Sequence, residues 1–253
     1  MLQGKRGLIV GLANKDSIAW GIAQAAHKAG AELGFTYLNE AIEKRMRPLA
    51  ESLQAAFISP CNVNDDDSLD ALFKEVAEKW GKFDFVVHSV AFAQKEDLMG
   101  RFVDTSRGGF TTAMETSAYS LTALSRRALP LLNENGSILA LTYFGSEKAV
   151  PNYNVMGVAK AALEASVRYL AADLGPDGIR VNAISSGAIK TLSARGIHGF
   201  TDMLHIAQER SPLKRCVSAE EVGNAAVFLL SEASSAITGE VLHVDCGYNI
   251  MGM

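Results

Sequence analysis

Residues 6–38, RGLIVGLANKDSIAWGIAQAAHKAGAELGFTYL, contain two short apolar runs separated by a segment with helical periodicity. The first run, RGLIV, ends at Gly11, and a polar loop leads to Ser17, a residue type that often caps helices. Gly30 then ends the helical segment, and the second run, AELGFTYL, follows it. This order predicts a β-α-β unit in which the two strands are parallel.

The same alternation continues along the 253-residue chain. Further apolar runs are AAFISP, FDFVVHSVAFA, SILALTYFG, IRVNAISSGAI and EVLHVD, and helical segments lie between them, including a long one from about Arg107 to Leu132. The runs are apolar throughout rather than alternating, which is typical of strands that are covered on both faces. We therefore predict an α/β fold in which residues 1–253 form a single doubly wound Rossmann-type domain with a parallel, seven-stranded sheet.

The composition indicates a mildly acidic globular protein. Its net charge of −4 gives nucleic acid no general attraction, and no uncharged stretch is long enough to span a bilayer. We therefore expect the protein to bind neither nucleic acid nor a membrane. Cys61, Cys216 and Cys246 form no C-x-x-C pair, and the five histidines lack metal-ligand spacing. We expect reduced thiols, no metal site and a cytoplasmic location.

The loop after the first strand lies where doubly wound proteins bind nucleotides. It lacks the G-x-G-x-x-G pattern, but Gly11 permits a tight turn and Gly21 permits close packing of helix and strand. Backbone amides around Ser17 and Ile18 would face a pyrophosphate at the positive end of the helix. From this loop alone, an ordinary β-α turn explains the residues equally well.

The end of the second strand bears on the choice of dinucleotide. Many Rossmann proteins place an acid there to hold the adenosine ribose, whereas here Leu38 holds the position and Glu40 follows. No arginine stands at the turn to receive a 2′-phosphate, because Lys44, Arg45 and Arg47 lie on the next helix. We expect NADH rather than NADPH.

A tyrosine and a lysine stand seven residues apart in the helical segment PNYNVMGVAKAALEASVRYLA, residues 151–171. On an α-helix, a step of seven returns to within about 20° of the same face and advances about 10 Å along the axis. Tyr153 and Lys160 are therefore placed to hold two parts of one extended ligand. The alternative is a packing residue and a surface charge on an amphipathic helix.

These motifs resemble those of a known family. G-x5-SIAWGIA, HSVAFA, YFGSEKAVPNYNVMGVAKAALEASVRYLA and RVNAISSGAIKTL are similar to stretches of the enoyl-acyl carrier protein reductases of bacterial fatty acid synthesis, which are divergent short-chain dehydrogenase/reductases. Short-chain dehydrogenases that reduce ketones usually carry Tyr-x3-Lys, with a serine on the preceding strand. Here Gly157 is the fourth residue after Tyr153, and Tyr143 holds the serine position when the motif is aligned on Lys160. Ketone chemistry is therefore disfavoured.

The resemblance implies NADH-dependent reduction of the trans-2 double bond of an enoyl thioester carried by acyl carrier protein. It implies that Tyr153 donates a hydrogen bond to the thioester oxygen as an enolate forms, and that Lys160 holds the nicotinamide ribose. Tyr143 is expected near the thioester as a third catalytic residue, and Ala93 is expected to contact the substrate together with the two tyrosines. The expected cofactor contacts are Gly11, Ser17, Ile18, Leu38, Asn62, Val63, Ser89, Val90, Ala91, Lys160, Ile189 and Thr191.

The family also implies a homotetramer and a substrate-covering segment at about residues 192–206, LSARGIHGFTDMLHI. The apolar C-terminal stretch GEVLHVDCGYNIMGM would suit a subunit interface, or it would complete the core of its own chain. Arg195, Lys214 and Arg215 are candidates for contact with an acidic carrier protein, although scattered surface charge explains them as well.

Two alternative functions remain. A short-chain dehydrogenase that acts on ketones or alcohols would turn over a 3-ketoacyl thioester, and a non-catalytic dinucleotide-binding regulator would bind NADH without turnover. Ala91 and Ala188 stand where the family commonly has glycine and proline, and Asn62 where it commonly has aspartate. None of these departures removes a group from the implied chemistry.

Overall fold

The computed structural model describes residues 1–191 and 200–252, which are organised around one sheet. Its strands are Arg6–Val10 (β1), Glu32–Tyr37 (β2), Phe57–Pro60 (β3), Phe83–His88 (β4), Leu132–Thr142 (β5), Arg180–Ser186 (β6) and Val241–Val244 (β7). All neighbouring strands are parallel, in the order β3-β2-β1-β4-β5-β6-β7. The predicted seven-stranded, doubly wound sheet is confirmed.

Helices cover both faces of this sheet. They are Ile18–Lys28 (α1), Glu40–Ser52 (α2), Asp66–Trp80 (α3), Lys95–Leu98 (α4), Arg107–Met114 (α5), Ser120–Ala128 (α6), Asn154–Leu174 (α7), Phe200–Arg210 (α8) and Ala219–Leu230 (α9). Buried residues of α1, α2 and α9 form one apolar core with the sheet, and those of α3, α6 and α7 form a second core on the opposite face. Strands that contact a core on each face explain why the apolar runs are nearly continuous.

Two glycines allow the backbones of α1 and α9 to touch. A Cβ on Gly21 would lie 2.2 Å from the carbonyl oxygen of Ala219, and a Cβ on Gly223 would lie 2.4 Å from that of Gly21. The sequence correctly predicted a close approach at Gly21 but assigned it to the wrong partner, because the neighbour is a helix rather than a strand. The contact braces the first turn of α1, which lies at the site described below.

The long helical segment near residues 107–132 is not one regular helix. Its α5 and α6 portions are joined by a π-helical turn, Glu115–Tyr119, and a short 3₁₀ turn, Leu129–Leu131, follows. Strand β5 then begins at Leu132, five residues earlier than the apolar run SILALTYFG predicts, and its register with β4 shifts between Phe83 and Phe85. π-Helical turns are rare and occur often near functional sites.

The predicted substrate-covering segment is described only in part. Residues 192–199, which include Arg195, lie outside the described residues, and residues 200–206 belong to α8. Among the helices of the described residues, none is long and apolar enough to cross a membrane.

Candidate active site

A cleft of about 420 Å³ opens at the carboxyl edge of the sheet, beside the point where strand order reverses between β1 and β4. Ligands of doubly wound proteins bind at this position. The structure brings most of the predicted site residues together here, from loops after β1, β4, β5 and β6 and from α7. Those that line the cleft are Gly11, Ser17, Ile18, Ser89, Val90, Ala91, Ala93, Tyr143, Tyr153, Lys160, Ile189 and Thr191.

Three predicted cofactor contacts do not line this cleft. Leu38 follows β2 and is 59% exposed, while Asn62 and Val63 follow β3. Because β2 and β3 continue the same edge beyond β1, these residues lie on its open continuation. The arrangement fits an extended ligand with one end in the cleft and the other along the edge.

Gly11 forms the floor of the cleft. Its φ is +106°, and a Cβ there would lie 2.1 Å from the carbonyl oxygen of Ser89, so only glycine fits this turn. The Ser89 amide donates to the carbonyl of Val10 at 2.8 Å, which joins the ends of β1 and β4. The result is a bare backbone cradle, which suits a dinucleotide that must approach the main chain closely.

Ser17 stands at the N-cap of α1, as predicted, but it does not cap the helix amides. Its hydroxyl oxygen accepts from the backbone amides of Ala13 and Asn14 at 3.2 and 3.0 Å. The loop is therefore tied back on itself in front of the helix. The positive end of α1 faces the cleft through Ser17 and Ile18, as an anionic phosphate requires.

The two tyrosines form a packed pair. Tyr143 follows β5, and Tyr153 is the N-cap residue of α7 rather than a member of its first turn. Their ring centroids lie 5.0 Å apart with an interplanar angle of 70°. Burial raises the pKa of Tyr143 to about 12 and raises the pKa of Tyr153 further. An ordinary phenol is already protonated at neutral pH, and these shifts keep both phenols available as hydrogen-bond donors at higher pH as well.

A second glycine pair fixes the position of this tyrosine ring. A Cβ on Gly145 would lie 2.5 Å from the ring of Tyr153, and a Cβ on Gly157 would lie 2.7 Å from the carbonyl oxygen of Gly145. Gly157 occupies the place that the lysine takes in a Tyr-x3-Lys motif. No side chain fits there without displacing backbone, so Tyr153 cannot be the tyrosine of such a motif.

Lys160 is buried on α7, with 5% of its surface exposed. Its Nζ donates to the carbonyl oxygen of Leu141 at 2.7 Å. Burial lowers the pKa of this ammonium group to about 8, and the nearby Glu164 partly opposes that shift. An ammonium group has three donors, so after the bond to Leu141 it retains donors for vicinal hydroxyls in the cleft.

Sequence reasoning missed the polar role of the π-helical turn. Ser117 accepts from the backbone amide of Phe92 at 3.0 Å and donates to its carbonyl at 3.1 Å. Thr116 accepts from Asn64 at 2.7 Å. The turn thereby holds the loops that follow β3 and β4, both of which carry predicted cofactor contacts. The sequence signal that could have indicated this role is the group of three hydroxyl residues Thr116, Ser117 and Ser120.

His88 is a second buried polar residue that the predicted site did not include. It ends β4, and its Nε2 lies 2.7 Å from the hydroxyl of Ser120, which itself donates to the carbonyl of Thr116. Within the described part of the chain, His88 Nδ1 has no hydrogen-bond partner. Burial first, and the charge of Lys160 second, lower the pKa of His88 to about 3, so the ring is neutral.

Other cleft residues were also outside the prediction. They follow the same strand ends or lie on helices over the cleft: Ala13, Phe92, Lys95, Leu98, Leu141, Thr142, Met156, Ser186, Gly187, Ala188 and Met203. Most are apolar or small and carry no sequence signal of function. Their positions follow from the packing of the chain.

Comparisons with known proteins agree on one family. The family described as Enoyl-(Acyl carrier protein) reductase matches residues 11–249. The chain is 57% identical to "Enoyl-[acyl-carrier-protein] reductase [NADH] 1" of Rhizobium meliloti (strain 1021), an alignment that covers 100% of this chain and 93% of that protein. It is 53% identical to the corresponding reductase [NADH] of Synechocystis sp., with 100% and 99% covered.

Solved structures of similar proteins agree with this result. The enoyl-acyl carrier protein reductase of Bacillus cereus, crystallised with NADP+ and indole naphthyridinone, has a TM-score of 0.98 and 53% identity, with 100% of this chain and 99% of that one covered. The reductase of Anaplasma phagocytophilum in complex with NAD has a TM-score of 0.96 and 54% identity, with 100% and 96% covered. The chain belongs to the enoyl-(acyl carrier protein) reductase family, as its motifs predicted.

Proposed function

We propose that this chain is an NADH-dependent enoyl-acyl carrier protein reductase, which reduces the trans-2 double bond of enoyl thioesters in fatty acid biosynthesis. The observation that carries the proposal is one cleft, at the switch point of the sheet, that combines Tyr143, Tyr153 and Lys160. Relatives named as NADH reductases, at 53–57% identity over the whole chain, support the same substrate and cofactor.

On the substrate side, the two phenols supply hydrogen bonds to the thioester. When bound, reduced nicotinamide supplies the hydride that adds to the β-carbon. Tyr153 donates to the thioester oxygen, and this bond strengthens as negative charge develops there, which lowers the barrier. Burial raises the pKa of Tyr153, so its phenol stays protonated and remains a hydrogen-bond donor. Tyr143 packs against its ring and supports delivery of the proton that adds to the α-carbon and completes the reduction, with Ala93 as a neighbouring contact.

On the cofactor side, Lys160 binds the hydroxyls of the nicotinamide ribose, and its positive charge favours the developing enolate. The bare turn at Gly11 and the positive end of α1 take the pyrophosphate. Val90, Ala91 and Ile189 line the same cleft and are the further cofactor contacts of this proposal. The adenosine end of the cofactor lies along the open edge of the sheet and contacts Leu38, Asn62 and Val63.

Residues on and near α8 are the candidates for covering the acyl chain and for contact with the carrier protein. Met203 on α8 lines the cleft, which fits a role of residues 192–206 as a cover over the acyl chain. Arg215 is a weaker candidate for the carrier than its sequence suggested, because both of its terminal nitrogens pair with Glu221 at 2.6–2.8 Å. Lys214, which donates to a backbone carbonyl, keeps its charge for an acidic partner.

We infer that the chain forms a homotetramer in the cytoplasm. Strand β7 is an edge strand whose residues are all half-buried, so its outer edge is open to pairing with another chain. The cysteines are free thiols, which suits a reducing compartment. Light scattering should give a mass of four chains, and a stable monomer would contradict the assembly.

The test of the function follows NADH oxidation with a crotonyl thioester. We expect Tyr153→Phe to lower kcat about 10²-fold with little change in NADH affinity, because one donor to the oxyanion is lost. We expect Lys160→Ala to weaken NADH binding and also slow turnover, and Tyr169→Phe on the same helix to behave as wild type. Wild-type protein that binds NADH but consumes it with no enoyl thioester would instead be a regulator, and turnover of a 3-ketoacyl thioester would indicate a ketone reductase.

A further inference from the structure

We propose that Glu164 is a positioning residue of this site, which holds α7 against the end of β5 and maintains the charge beside the cofactor; the proposal rests on the function proposed above. Glu164 lies on α7 one turn after Lys160, and only 7% of its surface is exposed. Carboxylates are rarely buried without a partner that compensates for lost hydration. Apolar packing alone therefore does not account for this residue.

The contacts of Glu164 involve the same short stretch that carries the chemistry. The hydroxyl of Thr142 donates to Glu164 Oε1 at 2.6 Å, and the preceding carbonyl, that of Leu141, accepts from Lys160 Nζ at 2.7 Å. Tyr143 is the next residue along the chain. Two hydrogen bonds thus fix one turn of α7 to the last two residues of β5, and α7 accepts one of them and donates the other.

This attachment determines the geometry of the tyrosine pair. Tyr143 continues directly from the attached end of β5, and Tyr153 starts the helix that is attached to it. Without the bond between Thr142 and Glu164, the hydrogen bond from Lys160 would be the remaining side-chain hydrogen bond between these two elements within the described residues. The 5.0 Å separation of the two rings would then no longer be held by two independent bonds.

Glu164 also supplies the negative charge that acts on the buried ammonium. The other titratable groups in the wall of this cleft are Lys95, Tyr143 and Tyr153, and the buried His88 also interacts with Lys160. His88 and the two tyrosines are neutral, and a lysine carries no negative charge. Within the described residues, Glu164 is the group whose charge raises the pKa of Lys160 against the effect of burial.

The test titrates NADH binding by fluorescence between pH 6 and 10 in wild type and in Glu164→Gln. Lys160 binds as a cation, so affinity should fall as the pH rises through its pKa of about 8. Without the carboxylate, that fall should begin at lower pH. A midpoint lower by about one pH unit reduces the protonated fraction at pH 8 about fivefold, so we expect about fivefold weaker binding at pH 8 and wild-type binding at pH 6.

Glu75→Gln is the matched control. Glu75 accepts from the hydroxyl of Ser59 at 2.7 Å, a similar bond between α3 and β3 away from the cleft, so this variant should keep the wild-type pH dependence. Thr142→Val provides a second variant, since it keeps the carboxylate and removes its anchor. We expect its kcat with a crotonyl thioester to fall threefold to tenfold, with the pH dependence displaced less than in Glu164→Gln.

The outcomes separate positioning from simple stability. If Glu164→Gln lowers the melting temperature yet binds NADH with the wild-type pH dependence, the proposal is wrong. If that variant does not fold, the kcat of Thr142→Val decides, and a wild-type value overturns the proposal. The NADH titration needs no turnover, so a failure of the enoyl reductase assay would leave it interpretable.

Discussion

Replacement of Gly11 by alanine tests whether the contact between the ends of β1 and β4 forms the cofactor cleft. At φ +106°, alanine is strained whatever its surroundings, and its Cβ would lie 2.1 Å from the carbonyl oxygen of Ser89. Gly4 provides a matched control, because it has φ +72° and nothing within 4 Å of a Cβ. The two substitutions share the backbone strain and differ in the steric contact.

The expected loss of stability follows from these two effects. A non-glycine residue in such a conformation costs about 1–3 kcal/mol, and this applies to both variants. At Gly11 the added methyl group is also about 1.3 Å too close to backbone for ordinary contact, and overpacking of this kind costs about 1–3 kcal/mol. We therefore expect Gly11→Ala to lose about 4 kcal/mol and Gly4→Ala about 2 kcal/mol.

The assay combines unfolding with NADH binding at one fixed protein concentration, since assembly shifts apparent stability. A loss of about 4 kcal/mol in a chain of this size lowers Tm by about 10 °C. Because Ser89 lines the cleft and must move, we expect NADH binding to weaken at least tenfold in Gly11→Ala and to stay within twofold of wild type in Gly4→Ala. Equal losses of stability in the two variants would refute the steric argument.

Three further outcomes follow from the site. The pKa of His88 is lowered to about 3 in the folded protein, so below its ordinary pKa of 6.5 the unfolded chain binds one more proton than the folded chain. The free energy of unfolding should therefore fall as the pH is lowered from 6.5 towards 3, by up to about 1.4 kcal/mol per pH unit. Urea titrations should show a flatter pH dependence for His88→Asn. Ser117→Ala strands both backbone groups of Phe92 and should cost about 2 kcal/mol, whereas Ser166→Ala loses one helix back-bond and should cost less. Glu40→Lys replaces a carboxylate, which would repel the 2′-phosphate of NADPH, with a cation that would attract it, so the ratio of kcat/KM for NADPH to that for NADH should rise about tenfold. An unchanged ratio would exclude Glu40 from cofactor choice.

The sequence predicted the sheet well because its signal is local. Each strand of a doubly wound fold is buried on both faces, so each appears as an apolar run, and the run RGLIV coincides with β1. The boundaries were less certain where an apolar run continues past the sheet. The run FDFVVHSVAFA extends to residue 93, whereas β4 ends at His88, because the residues after it cross the cleft and pack there against other elements.

The positions of the cleft residues could be predicted where they lie on one element, and were missed where distant segments meet. Tyr153 and Lys160 are spaced by the helix itself, so their shared side could be calculated. The partner of Gly21 could not, because α9 lies about 200 residues further along the chain. The π-helical turn was also missed, since a single i→i+5 turn leaves the apolar periodicity of its flanking helices intact.

The spacing between the tyrosine and the lysine has a structural cause as well as a chemical one. When the ketone-reductase motif is aligned on Lys160, its tyrosine falls at Met156, on the first turn of α7 and in the wall of the cleft. Here the phenol comes instead from Tyr153, three residues earlier and at the N-cap, where the bare backbone of Gly145 leaves space for its ring. Three residues correspond to about 4.5 Å along a helix axis, so the hydrogen-bond donor is displaced by that order. In an enoyl thioester two carbon atoms separate the charged oxygen from the carbon that receives hydride. In the proposed reaction, the displaced donor matches that longer separation.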